Sequence, residues 1–377
     1  MKKMKITSLI IMMVFLSGCF SYLDMNRVYF STMFILDEEA DGKLVLYEEF
    51  FASDRGNSEE SGLVKRIVLK AEGDSYYEAF SNMQSSATYP IKYDVARAVG
   101  LTEDVARTKG IEQVIGSLER DQDITNKVFL FICASDPEEF FNTQMEDEEF
   151  LGIWLEDILI FQKDEARILS IRANDYLNER MKGSRVSLLP IIDIKGHPTE
   201  NRLVISGAAV MKDSKMVDKL NLADIPIYKV LFNRDKNLIG SYTVIYPATG
   251  ARITVESLRI KTKESLETID EQLTLVYDID FIYSIRAVSG VLDLLDKTVR
   301  EDVERVIEEN IKNDGEDFYR KFQKKGIDIL DVQQKIERKF RNFDNKVIDD
   351  QIFKNIDIVI NVDVTIDGSQ NTTKTIE

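Results

Sequence analysis

Histidine is almost missing from this chain. The one imidazole in 377 residues is His197, in "KGHPTE", a stretch that reads as a loop. There are two cysteines, Cys19 and Cys133, and one tryptophan, Trp154. With no second His and no Cys cluster, zinc and similar nitrogen/sulfur metal sites are excluded, and imidazole-based acid–base chemistry has no candidate. A disulfide framework is excluded too, because Cys133 lies inside the apolar run "KVFLFICAS" and reads as a small buried hydrophobe. Positive charge is also in deficit. Lys and Arg number 49 against 66 Asp and Glu, a formal net of −17, and three of the lysines (Lys2, Lys3, Lys5) lie at the extreme N-terminus. Such a surface repels phosphate backbones and anionic headgroups, so nucleic-acid binding and attachment to membranes through a basic patch are poor readings. Low proline (6) and glycine (18) with 44% hydrophobic residues indicate folded, core-forming domains.

No apolar run is long enough to span a bilayer, which takes about 20 residues. The longest, Ile6 to Leu16, is about half that and follows the three lysines. This is the layout of an export signal. It ends in Leu16-Ser17-Gly18-Cys19, which resembles the lipobox of bacterial lipoproteins. The resemblance implies a diacylglyceryl group on the Cys19 thiol and cleavage between Gly18 and Cys19. An ordinary secretory signal that happens to contain Cys is the alternative. Two acyl chains give a stable anchor where one does not. Strand-like sequence begins near Val28, so the tether 19–27 reaches only about 30 Å when extended.

Beyond the tether, "RVYFSTMFIL", "KLVLYEEFFAS" and "LVKRIVLKAEG" read as strands. Ser75 and Glu78 have the spacing of a capping box, and the helix they open is expected to bury Tyr76, Tyr77, Phe80 and Met83. Ile111, Val114, Ile115 and Leu118 mark a second helix. Asp136-Pro137 with Glu139 marks the start of another after the buried strand "NKVFLFICAS". Residues 150–162, "FLGIWLEDILIFQ", form a helix apolar on most of its circumference. It reads as a helix buried on two sides, or as a docking face built around Trp154. From Leu203 strands dominate, up to "LTLVYDIDFIY", where Leu275, Tyr277, Ile279, Phe281 and Tyr283 alternate as one buried face requires. A long amphipathic helix follows (Val299, Val303, Val306, Ile307, Ile311), then a strand with Ile356, Ile358, Ile360, Val362, Val364 and Ile366 at every second position. Runs of strands followed by helices indicate α+β architecture with mixed or antiparallel sheets. The expected organisation is 1–18 signal peptide, 19–27 lipidated tether, 28–190 N-terminal α+β domain, 191–258 small β-rich middle domain and 259–377 C-terminal α+β domain.

Chemistry-bearing motifs are missing as well. No GxxxxGK[ST], no GxGxxG after a strand, no HExxH and no GxSxG occurs. The acidic run "MEDEEF" (145–150) reads as a solvated face or helix start rather than a calcium site. No catalytic, cofactor-binding or metal residue can be nominated, and the one chemical group expected on the chain is the lipid at Cys19.

Four stretches, taken in order, resemble the GerAC or Ger(x)C lipoproteins, the C subunits of spore germinant receptors. They are the lipobox with Asp24-Met25-Asn26 after it, the block from "KAEGDSYYEAF" to Arg120-Asp121, "LLPIIDI" with "ISGAAVMKDSKMVDKLN", and the long charged helix with its terminal alternating strand. Phe20-Ser21-Tyr22-Leu23 replace the family's Trp and charged residues after the cysteine, and "GIDILDVQQKIERKFRNFDNK" thins its C-terminal Trp/Pro stretch. This marks a divergent member. The resemblance implies three α+β domains and a non-catalytic subunit required for nutrient-triggered germination. It also implies lipid anchoring on the outer face of the spore inner membrane, beside polytopic A and B subunits. A lipoprotein solute-binding protein serving a transporter is the alternative from another class. It would need two lobes about a hinge cleft.

Overall fold

The computed structural model describes residues 27–53, 64–120, 125–181, 183–196, 201–232, 240–290, 292–340 and 353–367. The chain opens with an antiparallel meander, β1 (Tyr29–Glu38), β2 (Leu44–Ser53) and β3 (Val64–Gly73). Helix α1 (Tyr76–Ser86) follows, then β4 (Ile91–Lys92), β5 (Ala98–Thr102), α2 (Glu103–Thr108), α3 (Glu112–Arg120) and β6 (Phe129–Cys133). Three helices, α4 (Pro137–Asn142), α5 (Leu151–Phe161) and α6 (Ala173–Glu179), lead to the hairpin strands β7 (Val186–Gly196), β8 (Asn201–Lys212) and β9 (Lys215–Asn221). Among the described residues these strands make one nine-stranded sheet in the order β3-β2-β1-β5-β6-β7-β8-β9, with β4 beside β1. Its middle, β1-β5-β6-β7, is parallel and its flanks are antiparallel. The parallel part arises because helical crossovers join β5 to β6 and β6 to β7.

Both faces of this sheet are covered. Helices α1, α2, α3 and α6 bury one core, around Phe34, Phe80, Ile115 and Tyr176. Helices α4 and α5 bury the other, around Phe131, Phe140, Trp154 and Leu155. Burial on two faces is why β5 and β6 read as uninterrupted apolar runs.

The second sheet is built from β10 (Ser241–Ile245), β11 (Arg252–Ile269), β12 (Gln272–Ser289) and β13 (Asp357–Ile366), in that order. Between β9 and β10 lies α7 (Asp224–Phe232), an element the sequence reading does not contain. Between β12 and β13 come α8 (Lys297–Lys324) and α9 (Val332–Lys339). Leu275, Tyr277, Ile279, Phe281 and Tyr283 are buried, and so are Val303, Val306, Ile307 and Ile311 on the facing stripe of α8. Glycine at position 315 lets that helix lie close, since a Cβ there would stand 2.5 Å from Ile360 Cδ1. The core beneath α8 also takes in Leu188, Val210 and Leu220 from β7, β8 and β9. The expected domain limits at 190/191 and 258/259 fall within β7 and within β11, the second at an irregularity in the ladder between Ser257 and Arg259.

Two local expectations change. On α1, Tyr76, Phe80 and Met83 are buried with Ala79, but Tyr77 is 79% exposed. A residue one position past the stripe is turned about 100° away from it. The Ser75 hydroxyl caps the helix by accepting from Glu78 N (3.2 Å). Glu78 reaches back to Asp74 N (2.9 Å) rather than to the cap residue itself. At α4, Asp136 accepts from both Glu138 N and Glu139 N, with Pro137 in the first turn.

Candidate functional site

The residues singled out by the sequence divide into two groups. Gly18 and Cys19 lie outside the described residues, as does His197. The others are structural. Cys133 is buried, donates its Sγ–H to Ser135 O (3.2 Å), and has its thiol pushed up to about 12 by burial, so it is no nucleophile. Trp154 is 8% exposed and packed in the core under α5, which favours the buried-helix reading over the docking face. The exposed large residue of that helix is Phe161. In the acidic run, Glu148 accepts from Phe150 N (2.9 Å) and Glu146 pairs with Arg202 (3.2 Å). Among the described residues no group of three or more His, Cys, Asp or Glu could hold a metal ion, and no helix is long and apolar enough to cross a membrane.

Two adjacent glutamates on β2 are both fully buried, and sequence reasoning passed over both. Glu49 is fully buried on the α5 side. Its carboxylate accepts from Leu151 N and Gly152 N (3.0 Å each), from Thr32 Oγ1 (2.5 Å) and from Arg66 Nε (2.5 Å). Arg66 in turn donates to Phe141 O (2.8 Å). One carboxylate thus ties β1, β2, β3 and the amino ends of α5 together, at a helix terminus where negative charge is favoured. Gly152 has no room for more, since a Cβ would lie 2.7 Å from Thr32 O. Glu48 points to the opposite face, fully buried, with the Ser31 and Tyr93 hydroxyls as its polar neighbours. Burial pushes its carboxyl up to about 8. The signal for both was the pair "EE" inside a strand whose flanking residues are apolar on each face.

A concavity lies between α7, β10–β12 and α8 and has a volume of about 520 Å³. Its floor is apolar: Ile227, Val230, Ile260, Phe281, Ile311 and Phe318. Its rim is charged. Lys321 pairs with Asp224 (2.7 Å), and Tyr242 donates its hydroxyl to Asp314. Asp317 and Arg167 complete the charged lining. Tyr242 is held protonated, its hydroxyl raised by burial and by the carboxylate it serves. The cleft thus combines an apolar floor with a charged rim.

Fold and cleft can now be set beside known proteins. Residues 21–194 match the family described as "Spore germination protein N-terminal domain", and residues 206–370 the one described as "Spore germination B3/ GerAC like, C-terminal". The chain belongs to the GerAC family. It is 23% identical over 326 residues to the spore germination protein GerQC of Bacillus cereus, covering 86% of this chain and 88% of that protein. It superposes on the crystal structure of the GerBC protein with a TM-score of 0.57 at 16% identity, over 88% of this chain and 96% of that one. The likeness to GerBC is one of fold and supports the α+β architecture with mixed sheets.

Proposed function

We propose that this GerAC-family protein is the lipid-anchored, non-catalytic C subunit of a nutrient germinant receptor. It would work on the outer face of the spore inner membrane beside polytopic A and B subunits. The observation that carries this reading is the pair of family matches, in family order and together spanning nearly all of the chain after the leader. Ahead of them stands Leu16-Ser17-Gly18-Cys19. The relative GerQC is itself a spore germination protein. An acidic body needs a hydrophobic mooring to stay at an anionic membrane, and two acyl chains on Cys19 supply one.

The test is fractionation of spores carrying Cys19→Ala, with palmitate labelling of the wild type. The labelled wild type should sit in the membrane fraction. The variant should lose the label, leave the membrane, and slow nutrient-triggered germination. A variant that stays bound and germinates normally overturns the anchor. Crosslinking in spore membranes should capture polytopic partners, and capture of none overturns the receptor assignment.

A further inference from the structure

We propose that the cleft between α7, β10–β12 and α8 binds a small molecule with an apolar body and a cationic end, the body on the Ile227–Phe281–Phe318 floor and the cation at Asp314 and Asp317. The inference concerns the isolated chain and stands whether or not the receptor reading holds.

Three observations carry it. The first is size and lining. About 520 Å³ falls within the ~300–1,000 Å³ usual for small-ligand sites, and an apolar floor with a few polar groups at the edge is their usual make-up. The second is the distribution of charge. Lys321 is already neutralised by Asp224 at 2.7 Å. Asp314 and Asp317 are three positions apart on α8, so they project from the same side of the helix, and both are exposed. Asp314 accepts from a neutral hydroxyl, that of Tyr242, and not from a cation. Counting Arg167, the lining holds three carboxylates against two cations. A ligand that brings a positive group balances the rim, and one that brings a carboxylate adds to the repulsion. The third is that the wall is preformed. Ser257 N donates to Gly240 O and Ser257 Oγ accepts from Gly240 N, both at 2.9 Å. Gly240 also lies directly against Ala166, where a Cβ would come within 2.5 Å of the Ala166 Cβ. The loop after α5 is thereby packed onto the start of β10, so the cleft is walled by the first half of the chain as well as the second. A wall that needs no ordering on binding costs less affinity.

The experiment is isothermal titration of the purified full-length protein with three probes of matched body: phenethylamine, 3-phenylpropionate and 2-phenylethanol. Phenethylamine should bind saturably and about tenfold more tightly than 3-phenylpropionate, with 2-phenylethanol between them. Asp314→Asn combined with Asp317→Asn should erase the preference for the amine and leave 2-phenylethanol unchanged. Ser241→Trp, at an exposed position on the rim, should block all three probes, with circular dichroism confirming that the variant is folded. No saturable binding at millimolar probe, equal affinity for amine and carboxylate, or unchanged binding in folded Ser241→Trp each overturns the proposal. None of these outcomes bears on membrane anchoring or germination, so failure here is separate from failure of the receptor reading.

Discussion

Glu48 and Glu49 are neighbours in sequence and opposites in physics. Burial holds the Glu48 proton up to about 8, against an ordinary value of 4.5. The folded state therefore binds that proton more tightly than the unfolded chain does. Between those two values the unfolded chain is ionised and the folded one is not, so stability falls as pH rises through this window and levels off above it. Urea midpoints should drop from pH 6 to pH 9, and Glu48→Gln should flatten that drop. An equal drop in the variant would show that another group is responsible. Glu49 lies among four donors, so Glu49→Ala leaves Arg66 Nε and two helix amides without their acceptor. The expected cost is about 3–5 kcal/mol in denaturant unfolding, the range for breaking one side of a buried ion pair. Gly152→Ala should cost about 1–3 kcal/mol by pushing α5 off Thr32. The sequence announced a strand in "LYEEFFAS", but a strand pattern states only that neighbours face opposite sides. It does not state that both sides are closed. That depends on α5, about a hundred residues later.

Elements with a strong period were readable, and those without one were not. The alternation in β12 and β13 and the stripe of α8 appear in the structure at the residues expected, with Val299 and Val362 only partly buried, because a single buried face imposes its period on the chain. Helix α7 escaped notice because "DIPIYKVLF" is short, carries Pro226, and is buried on most sides, which leaves no polar stripe to give a period. It starts where Asn221 Oδ1 accepts from Ala223 N and Asp224 N, a cap visible only once the backbone is placed. The cleft was illegible for the same reason, since α7 forms one wall. Helix α8 has a second duty besides burial. Glu304 Oε1 accepts from Ile366 N (2.9 Å) and Glu308 Oε1 from Val364 N (3.1 Å), which occupies outward-facing amides of the edge strand β13. Open strand edges invite pairing with another chain. Glu304→Ala with Glu308→Ala should produce concentration-dependent association in sedimentation velocity. A double variant that sediments as the wild type does would show that the edge is protected by other means.

At the scale of the molecule, the two sheets are not independent bodies. Leu188, Val210 and Leu220 of the first share a core with Tyr277 of the second and with Phe318 of the helix α8 that covers it. Polar ties reinforce the seam: Asp331 Oδ1 accepts from Ser184 N (2.8 Å), Lys212 Nζ donates to Gly326 O (3.3 Å), and Lys325 pairs with Asp218. Urea unfolding followed by Trp154 fluorescence, which reports the first sheet, should coincide with unfolding followed by far-ultraviolet circular dichroism, which reports both. Separated transitions would mean that the seam is weak. The fold class was legible in the texture of the sequence, and so was the order of elements apart from α7, while the domain limits drawn from that texture fall inside β7 and β11.

The position of β1 has a mechanical consequence. It begins at Tyr29 and runs between β2 and β5, in the interior of the larger sheet rather than at its rim. A pull on the amino end along the strand loads both flanking ladders in shear, so their bonds must give way together rather than unzip one at a time. Whatever holds that end, the body would resist being torn from it with the strength of a central strand.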